Sequence, residues 1–193
     1  RSTYKLLGGS IGFYGSTLNT RQYATKGYLE KLIAQVFTGR ERFEPGNPQE
    51  GYSPSPQERQ SWLQISYMKE AYHTMGPKFT LGWMAEALYS SKNFSENYTA
   101  TMMQAGEFAP TPHSKLMYNE AFRANQYVAA GIKPIYVLND MFQFRTEFYG
   151  FTPIFPIKKN ALNKAYYGKA FSRFEYMGEV SVICHLPFGA ISA

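Results

Sequence analysis

Seven residues, 142–148, read Phe-Gln-Phe-Arg-Thr-Glu-Phe, and little else in the chain limits the fold so tightly. Phe142, Phe144 and Phe148 fall on one side at period two; Gln143, Arg145 and Glu147 fall on the other. A helix would scatter both sets around its axis, so the segment is a strand with one apolar and one charged face. Asn139-Asp140, just upstream, is turn chemistry, and before it runs a long arm with Val128, Ala130, Ile132, Tyr136 and Leu138. The two arms form a hairpin. A two-residue loop would pair Leu138 with Met141 and bring Val137 and Ile135 onto the phenylalanine face. A three-residue loop, 139–141, pairs Leu138 with Phe142 and Tyr136 with Phe144. A one-residue slip exchanges every side chain between faces, so the three-residue loop, which gathers the apolar residues on one side, is expected.

The same alternation recurs along the chain. Residues 78–90 place Phe79, Leu81, Trp83, Ala85, Ala87 and Tyr89 on one face, with Thr80, Gly82, Met84, Glu86 and Ser90 on the other. Residues 59–73 set Leu63, Ile65 and Tyr67 against Gln60, Gln64 and Ser66. Residues 171–186 set Tyr176, Val180, Val182, Cys184 and Leu186 against Glu175, Glu179, Ser181 and His185. A glycine-rich strand is expected at 3–15, a strand of mixed alternation at 28–39, and the start of another at 189–193. That makes about eight strands, most of them longer than the usual five or six residues.

Loop lengths alternate as well. Residues 41–57, with four prolines and two glycines, 91–121 and 152–169 are long; 74–77, 139–141 and the turn at Pro187 are short. Residues 16–27 are polar and turn-like, and a little helix is expected around 115–123. Long strands with alternating loop lengths are the pattern of an outer-membrane barrel, with short periplasmic turns and long outer loops. The fold class expected is therefore all-β, an antiparallel transmembrane β-barrel seen in part. A soluble β-sandwich or open antiparallel sheet explains the alternation equally well, but the strand lengths and loop asymmetry less well.

Composition agrees. Only 18% of residues are charged while 17% are aromatic, and no apolar run approaches the roughly 18 residues of a helical span. The net charge of +6 is dispersed, with no helix or glycine-rich loop to concentrate it, so nucleic acid is not the expected partner. In a barrel, Glu86, Arg145, Glu147, Glu175 and Glu179 would line the lumen. Phe79, Leu81, Trp83, Phe142, Phe144, Phe148, Val180 and Val182 would meet lipid. Lys158 and Lys159, in a basic outer loop, would face lipopolysaccharide phosphates. Trp62, Trp83, Tyr89 and Tyr149 are candidates for interface girdles. The chain starts Arg1-Ser2-Thr3-Tyr4 without methionine or apolar leader and stops at Ala193 as a strand opens. Residues 1–193 are accordingly read as part of one barrel domain, cut at both ends and without a catalytic domain.

Few residues invite a catalytic reading. Gly8-Gly9-Ser10-Ile11-Gly12 fits G-x-S-x-G, but that motif needs a strand, a sharp turn and a helix, and no helical period follows. His73, His113 and His185 are too scattered for paired metal ligands, and Cys184 has no second cysteine to join. No metal or cofactor is expected.

Two stretches carry a family resemblance. Ser16-Thr17-Leu18-Asn19-Thr20-Arg21-Gln22-Tyr23-Ala24-Thr25-Lys26-Gly27-Tyr28 is similar to the turn-then-strand segment of Omp85-type barrels. Residues 104–125, with Pro110-Thr111-Pro112-His113-Ser114 and Phe122-Arg123-Ala124-Asn125, followed by Phe148-Tyr149-Gly150-Phe151-Thr152-Pro153-Ile154-Phe155-Pro156, resemble the carboxy-terminal barrel of patatin-like phospholipases of Bacteroidetes. The resemblance implies a barrel of about sixteen strands behind a Ser/Asp lipid acyl hydrolase domain that lies outside this chain. The fragment would then anchor, export or display that domain and perform no chemistry itself. Its partners would be the remaining barrel strands, outer-membrane lipid and lipopolysaccharide, with self-association or an outer-membrane complex beside them. An Omp85-family translocation or assembly pore is the runner-up, and a soluble β-sandwich binding module the third reading.

Overall fold

The computed structural model describes residues 2–43, 59–139, 141–186 and 189–192. Asp140, Pro187 and most of the expected 41–57 loop lie outside the described residues. The main strands are β1 (Ser2–Ser16), β2 (Gly27–Phe43), β3 (Arg59–Thr74) and β4 (Phe79–Ser90). A short helix, α1 (Tyr98–Gln104), and two-residue strands β5 (Gly106–Glu107) and β6 (Arg123–Ala124) follow. Then come β7 (Gln126–Val137), β8 (Phe142–Pro153), a small hairpin of β9 (Ile157–Lys159) and β10 (Ala165–Tyr167), β11 (Glu175–Leu186) and β12 (Gly189–Ser192).

Eight of these form one antiparallel sheet in the order β1-β2-β3-β4-β7-β8-β11-β12. Every neighbour in the sheet is also the next long strand in sequence. Among the described residues β1 and β12 do not pair with each other, so the sheet is not closed by hydrogen bonds. The hairpin register is the expected one: Tyr136 lies opposite Phe144, and Leu138 N donates to Phe142 O at 3.0 Å. The Asn139 carboxamide oxygen accepts from the backbone of Met141 and Phe142 and holds the turn.

Three expectations need correcting. The little helix expected at 115–123 is reduced to two separate 3-10 turns, Ser114–Leu116 and Glu120–Phe122. The helix sits instead at Tyr98–Gln104, started by Asn97, whose side chain accepts from Ala100 N at 2.7 Å. The 171–186 strand begins only at Glu175, because Phe171 takes a left-handed turn (φ 50) and donates its N–H to Ile154 O. The 152–169 stretch is no plain loop: β8 runs into it, and the β9–β10 hairpin occupies its middle.

The sheet is curved, and its two faces differ. On the convex side Leu7, Ile11, Phe13, Leu32, Val36, Leu63, Ile65, Ile132, Phe144, Phe148, Val180 and Val182 are all exposed. On the concave side Lys133, Gln143, Arg145 and Glu147 are buried. The apolar core lies on this inner side toward the long-loop end. Met84, Leu88, Tyr127, Ala129, Tyr149 and Phe151 from the sheet close around Phe108 and Phe122 from the β4–β7 connection. The Phe108 ring sits 5.9 to 6.2 Å from those of Tyr127, Tyr149 and Phe151. The interior expected to be a polar lumen is thus apolar and filled at one end, because the long connections fold back into it.

Candidate functional site

The functional question concerns what fills the concave face and what covers the convex one. At the short-turn end the β1–β2 connection, 17–26, bends inward. Asn19 organises it by accepting from Thr25 N and Lys26 N, both at 3.0 Å. Gly27 closes it at φ +90, where an added Cβ would meet Thr17 O at 2.2 Å, so only glycine fits. The result presents two carbonyls to the sheet: Gln143 Nε2 donates to Tyr23 O at 3.1 Å, and Arg145 Nη1 donates to Ala24 O at 3.1 Å. Ala24 packs with Tyr72 and Ile135, sealing the contact.

Above this plug runs a chain of buried polar groups. Lys133 Nζ pairs with Glu70 Oε1 at 3.2 Å, and the Tyr72 hydroxyl donates to Glu70. Arg145 Nη2 donates to that hydroxyl at 2.8 Å, Arg145 Nε is bonded to Glu147, and the Tyr149 hydroxyl donates to Glu147. Lys133 also lies over the rings of Tyr72 and Tyr149, 5.8 and 5.9 Å from their centroids. Two cations and two carboxylates sum to zero, and each charge has a partner. Burying charge costs free energy unless pairing and hydrogen bonds offset it, and this network supplies both. It is a fixed, neutral brace across β3, β7 and β8.

The expected lumen residues, Glu86, Arg145, Glu147, Glu175 and Glu179, all lie on the concave face, but only Arg145 and Glu147 pair with each other. Glu86 accepts from the Tyr127 hydroxyl at 2.6 Å, Glu175 pairs with Arg173 at 2.9 Å, and Glu179 bonds His113 at 2.9 Å. The expected lipid-facing set, Phe79, Leu81, Trp83, Phe142, Phe144, Phe148, Val180 and Val182, lies on the convex face. The girdle reading fails for two residues. Trp62 is buried inside, stacked on Phe37 at 5.1 Å, and Tyr149 belongs to the polar chain just described. Both share the parity of inward neighbours, which decides the face. Lys158 and Lys159 are exposed, but on the β9–β10 hairpin, which packs on α1 and is not part of the eight-stranded wall.

Comparison of the chain with protein-family models, with curated proteins and with solved structures finds no match. Its own geometry must carry the reading. Ser10 stands in mid-strand opposite Gln35 with β1 continuing on both sides, so its glycines serve a strand and make no nucleophile elbow. The histidines are separately engaged: His73 with Trp83, His113 with Glu179 and His185 with Gln143. Among the described residues no three His, Cys, Asp or Glu side chains gather to hold a metal. The 122–125 segment is structural. Phe122 enters the core, and Arg123 Nη1 donates to the carbonyls of Met102, Met103 and Ala105 at the end of α1. Asn125 ties Lys92 O to the Tyr167 hydroxyl.

Sequence reasoning missed Glu70, Tyr72 and Lys133, although their parity with Met84 and Ala129 marks them as inward; it placed Gln143 on the polar face but gave it no partner. It also missed an ion pair on the convex face. Lys69 Nζ lies 3.8 Å from Glu30 Oε2, and the Tyr67 hydroxyl donates to Glu30 at 2.6 Å. At the long-loop end Lys92 points inward, 4.8 Å from the Trp62 ring centroid and 5.8 Å from that of Tyr4. Burial lowers its pKa to about 8, against the pull of the Glu41 carboxylate in the opposite direction.

Proposed function

We propose that this chain is part of the wall of a bacterial outer-membrane β-barrel that anchors, exports or displays a lipid acyl hydrolase domain of the patatin-like type. The observation that carries the membrane half of this reading is the inverted polarity of the sheet. Large apolar side chains are exposed on the convex face, while Arg145, Glu147 and Lys133 are buried on the concave one. In water the exposed face would be an aggregation surface; against hydrocarbon it is the required one. Strands of 12 to 17 residues exceed the roughly 9 to 11 that a tilted crossing needs. The unclosed sheet fits a larger barrel whose remaining strands pair with β1 and β12, since open edges are not tolerated in lipid. The braced, plugged interior favours an anchor over an Omp85-type conduit. The family half rests on the resemblance at 104–125 and 148–156.

Two measurements test the halves separately. The parent protein, which supplies the remaining strands, is expected on refolding from urea to hold its β-structure and resist protease only in detergent or phospholipid vesicles. A monodisperse folded monomer in detergent-free buffer would remove the membrane reading. The parent protein is expected to carry a Ser/Asp acyl hydrolase domain upstream; another domain there would remove the family link and leave the barrel standing.

A further inference from the structure

The convex wall changes character abruptly at its long-loop rim. Below the rim, past Thr38 and Ser61, β1, β2 and β3 expose Leu7, Ile11, Val36, Leu63 and Ile65, and the Lys69–Glu30 pair lies farther down toward the short-turn end. At the rim itself Lys5 lies directly opposite Arg40, and Arg40 directly opposite Arg59, so three cations stand in one row across three strands. Arg42 follows on the same face, opposite Thr3. Side chains directly opposite in an antiparallel sheet have Cβ atoms about 5 Å apart, and like charges there repel. Lys5, Arg40 and Arg59 have no carboxylate partner among the described residues. The nearest acid on these strands, Glu41, turns to the concave side, where the Tyr4 hydroxyl donates to it at 2.8 Å. Arg59 Nε donates to Thr38 Oγ1 at 3.1 Å, which ties the exposed guanidinium to β2. An open groove of about 620 Å³ lies along the row; Lys5, Arg40, Arg59 and Thr38 line it, and Tyr4 and Leu6, of the opposite parity, border it as well.

We propose that Lys5, Arg40 and Arg59 form a docking site for the phosphorylated headgroup of an outer-leaflet glycolipid, with its acyl chains lying on the apolar wall below. This rests on the membrane reading above and adds a ligand to it. The row repels itself until an anion of high charge density lies across it, and guanidinium groups bind phosphate oxygens in pairs. The single lipid source follows from continuity: Leu7 stands beside Thr38 and Ser61 in the row directly beneath the cations, and exposed Val36 and Leu63 stand in the next, so one amphiphile can span both. A nucleic acid would want aromatic platforms between the cations; the one ring that borders the groove, among the described residues, is Tyr4, which is of the opposite parity and donates its hydroxyl to Glu41. This site is distinct from Lys158 and Lys159, which belong to the β9–β10 hairpin and not to the eight-stranded sheet.

The test uses the parent protein, with all its barrel strands, folded in detergent, and native mass spectrometry counts bound lipid. Diphosphoryl lipid A is the probe; its dephosphorylated form, inorganic pyrophosphate and a short single-stranded oligonucleotide are the comparisons. Lys5→Gln, Arg40→Gln and Arg59→Gln are each expected to weaken lipid A binding about fivefold, and the triple variant about a hundredfold. Lys158→Gln with Lys159→Gln is expected to leave it unchanged. All variants should retain the same protease resistance in vesicles, since the replaced groups are exposed and mutually repelling. Equal binding by the triple variant, or by dephosphorylated lipid, would overturn the site while leaving the membrane reading intact. Pyrophosphate binding as tightly as the lipid, or preferential capture of the oligonucleotide, would overturn the lipid assignment. A chain that does not insert at all would overturn the membrane reading, and the site with it.

Discussion

Gly131 lies directly across the β7–β8 ladder from Tyr149, and the tyrosine ring covers it so closely that a Cβ on Gly131 would fall 2.2 Å from Tyr149 Cδ1. The same relation recurs on the concave face. Gly82 lies under Tyr72, with 2.6 Å to Cε1, and Gly8 under Phe37, with 2.5 Å to Cδ1. A curved sheet crowds its inner side chains, and a glycine opposite each ring makes room for the ring to lie along the wall. Tyr149 and Tyr72 are thereby aimed at Glu147 and Glu70. Gly131→Ala should therefore lower folding stability by about 1–3 kcal/mol through overpacking. Gly9→Ala, with nothing within 4 Å of the new methyl, should not. Urea unfolding in micelles compares the two; equal effects would show that the ring contact is idle.

The Arg145–Glu147 pair is expected to be all or nothing. Arg145→Met leaves a buried carboxylate without its cation and should cost about 3–5 kcal/mol. The double variant Arg145→Met with Glu147→Leu should recover part of that, with a coupling above about 1 kcal/mol. A double-mutant cycle of unfolding midpoints reads it, and strict additivity would contradict the network.

Ile132 stands mid-way along β7 on the convex face and is 50% exposed. In water Ile132→Arg would stay within about 0.5 kcal/mol of neutral. At the bilayer midplane it should cost about 2–4 kcal/mol. Folding equilibria in phospholipid vesicles distinguish the two, and a neutral result there would count against lipid contact.

Lys92 gives a pH dependence with a definite sign. Its pKa of about 8 lies below the ordinary 10.5, so between these values the unfolded chain binds more protons than the folded one. Stability therefore rises with pH across that window, and the destabilisation is fully present below it. Lys92→Met should flatten the rise, and the side-chain signal of labelled Lys92 should titrate near pH 8. Titration in the ordinary amine range would show that the ammonium is hydrated.

Phe108→Ala should cost about 3–5 kcal/mol, since it empties the centre of the inner aromatic cluster. Limited proteolysis should then cut the 108–122 connection first. Unchanged protease resistance of that connection would mean that the loop is held by other contacts.

Period-two alternation is a property of the backbone itself. The residues from Phe142 to Phe148, and from Phe79 to Tyr89, therefore declared their faces, and the three-residue loop its register, before any coordinates. The same rule, applied to Trp62, Tyr149, Lys133 and Glu70, would have turned them inward as well. Contacts across the interior obey no local period. Arg145 meets Tyr72 and Ala24, 73 and 121 residues away in sequence, only because the sheet bends β3, β7 and the β1–β2 connection toward one another. Phe108 enters the core because a long connection folds back over that concavity. The row of Lys5, Arg40 and Arg59 likewise appears only when three strands lie side by side. Which face a side chain takes is settled by its neighbours along the chain; what it meets there depends on how far the whole sheet curves.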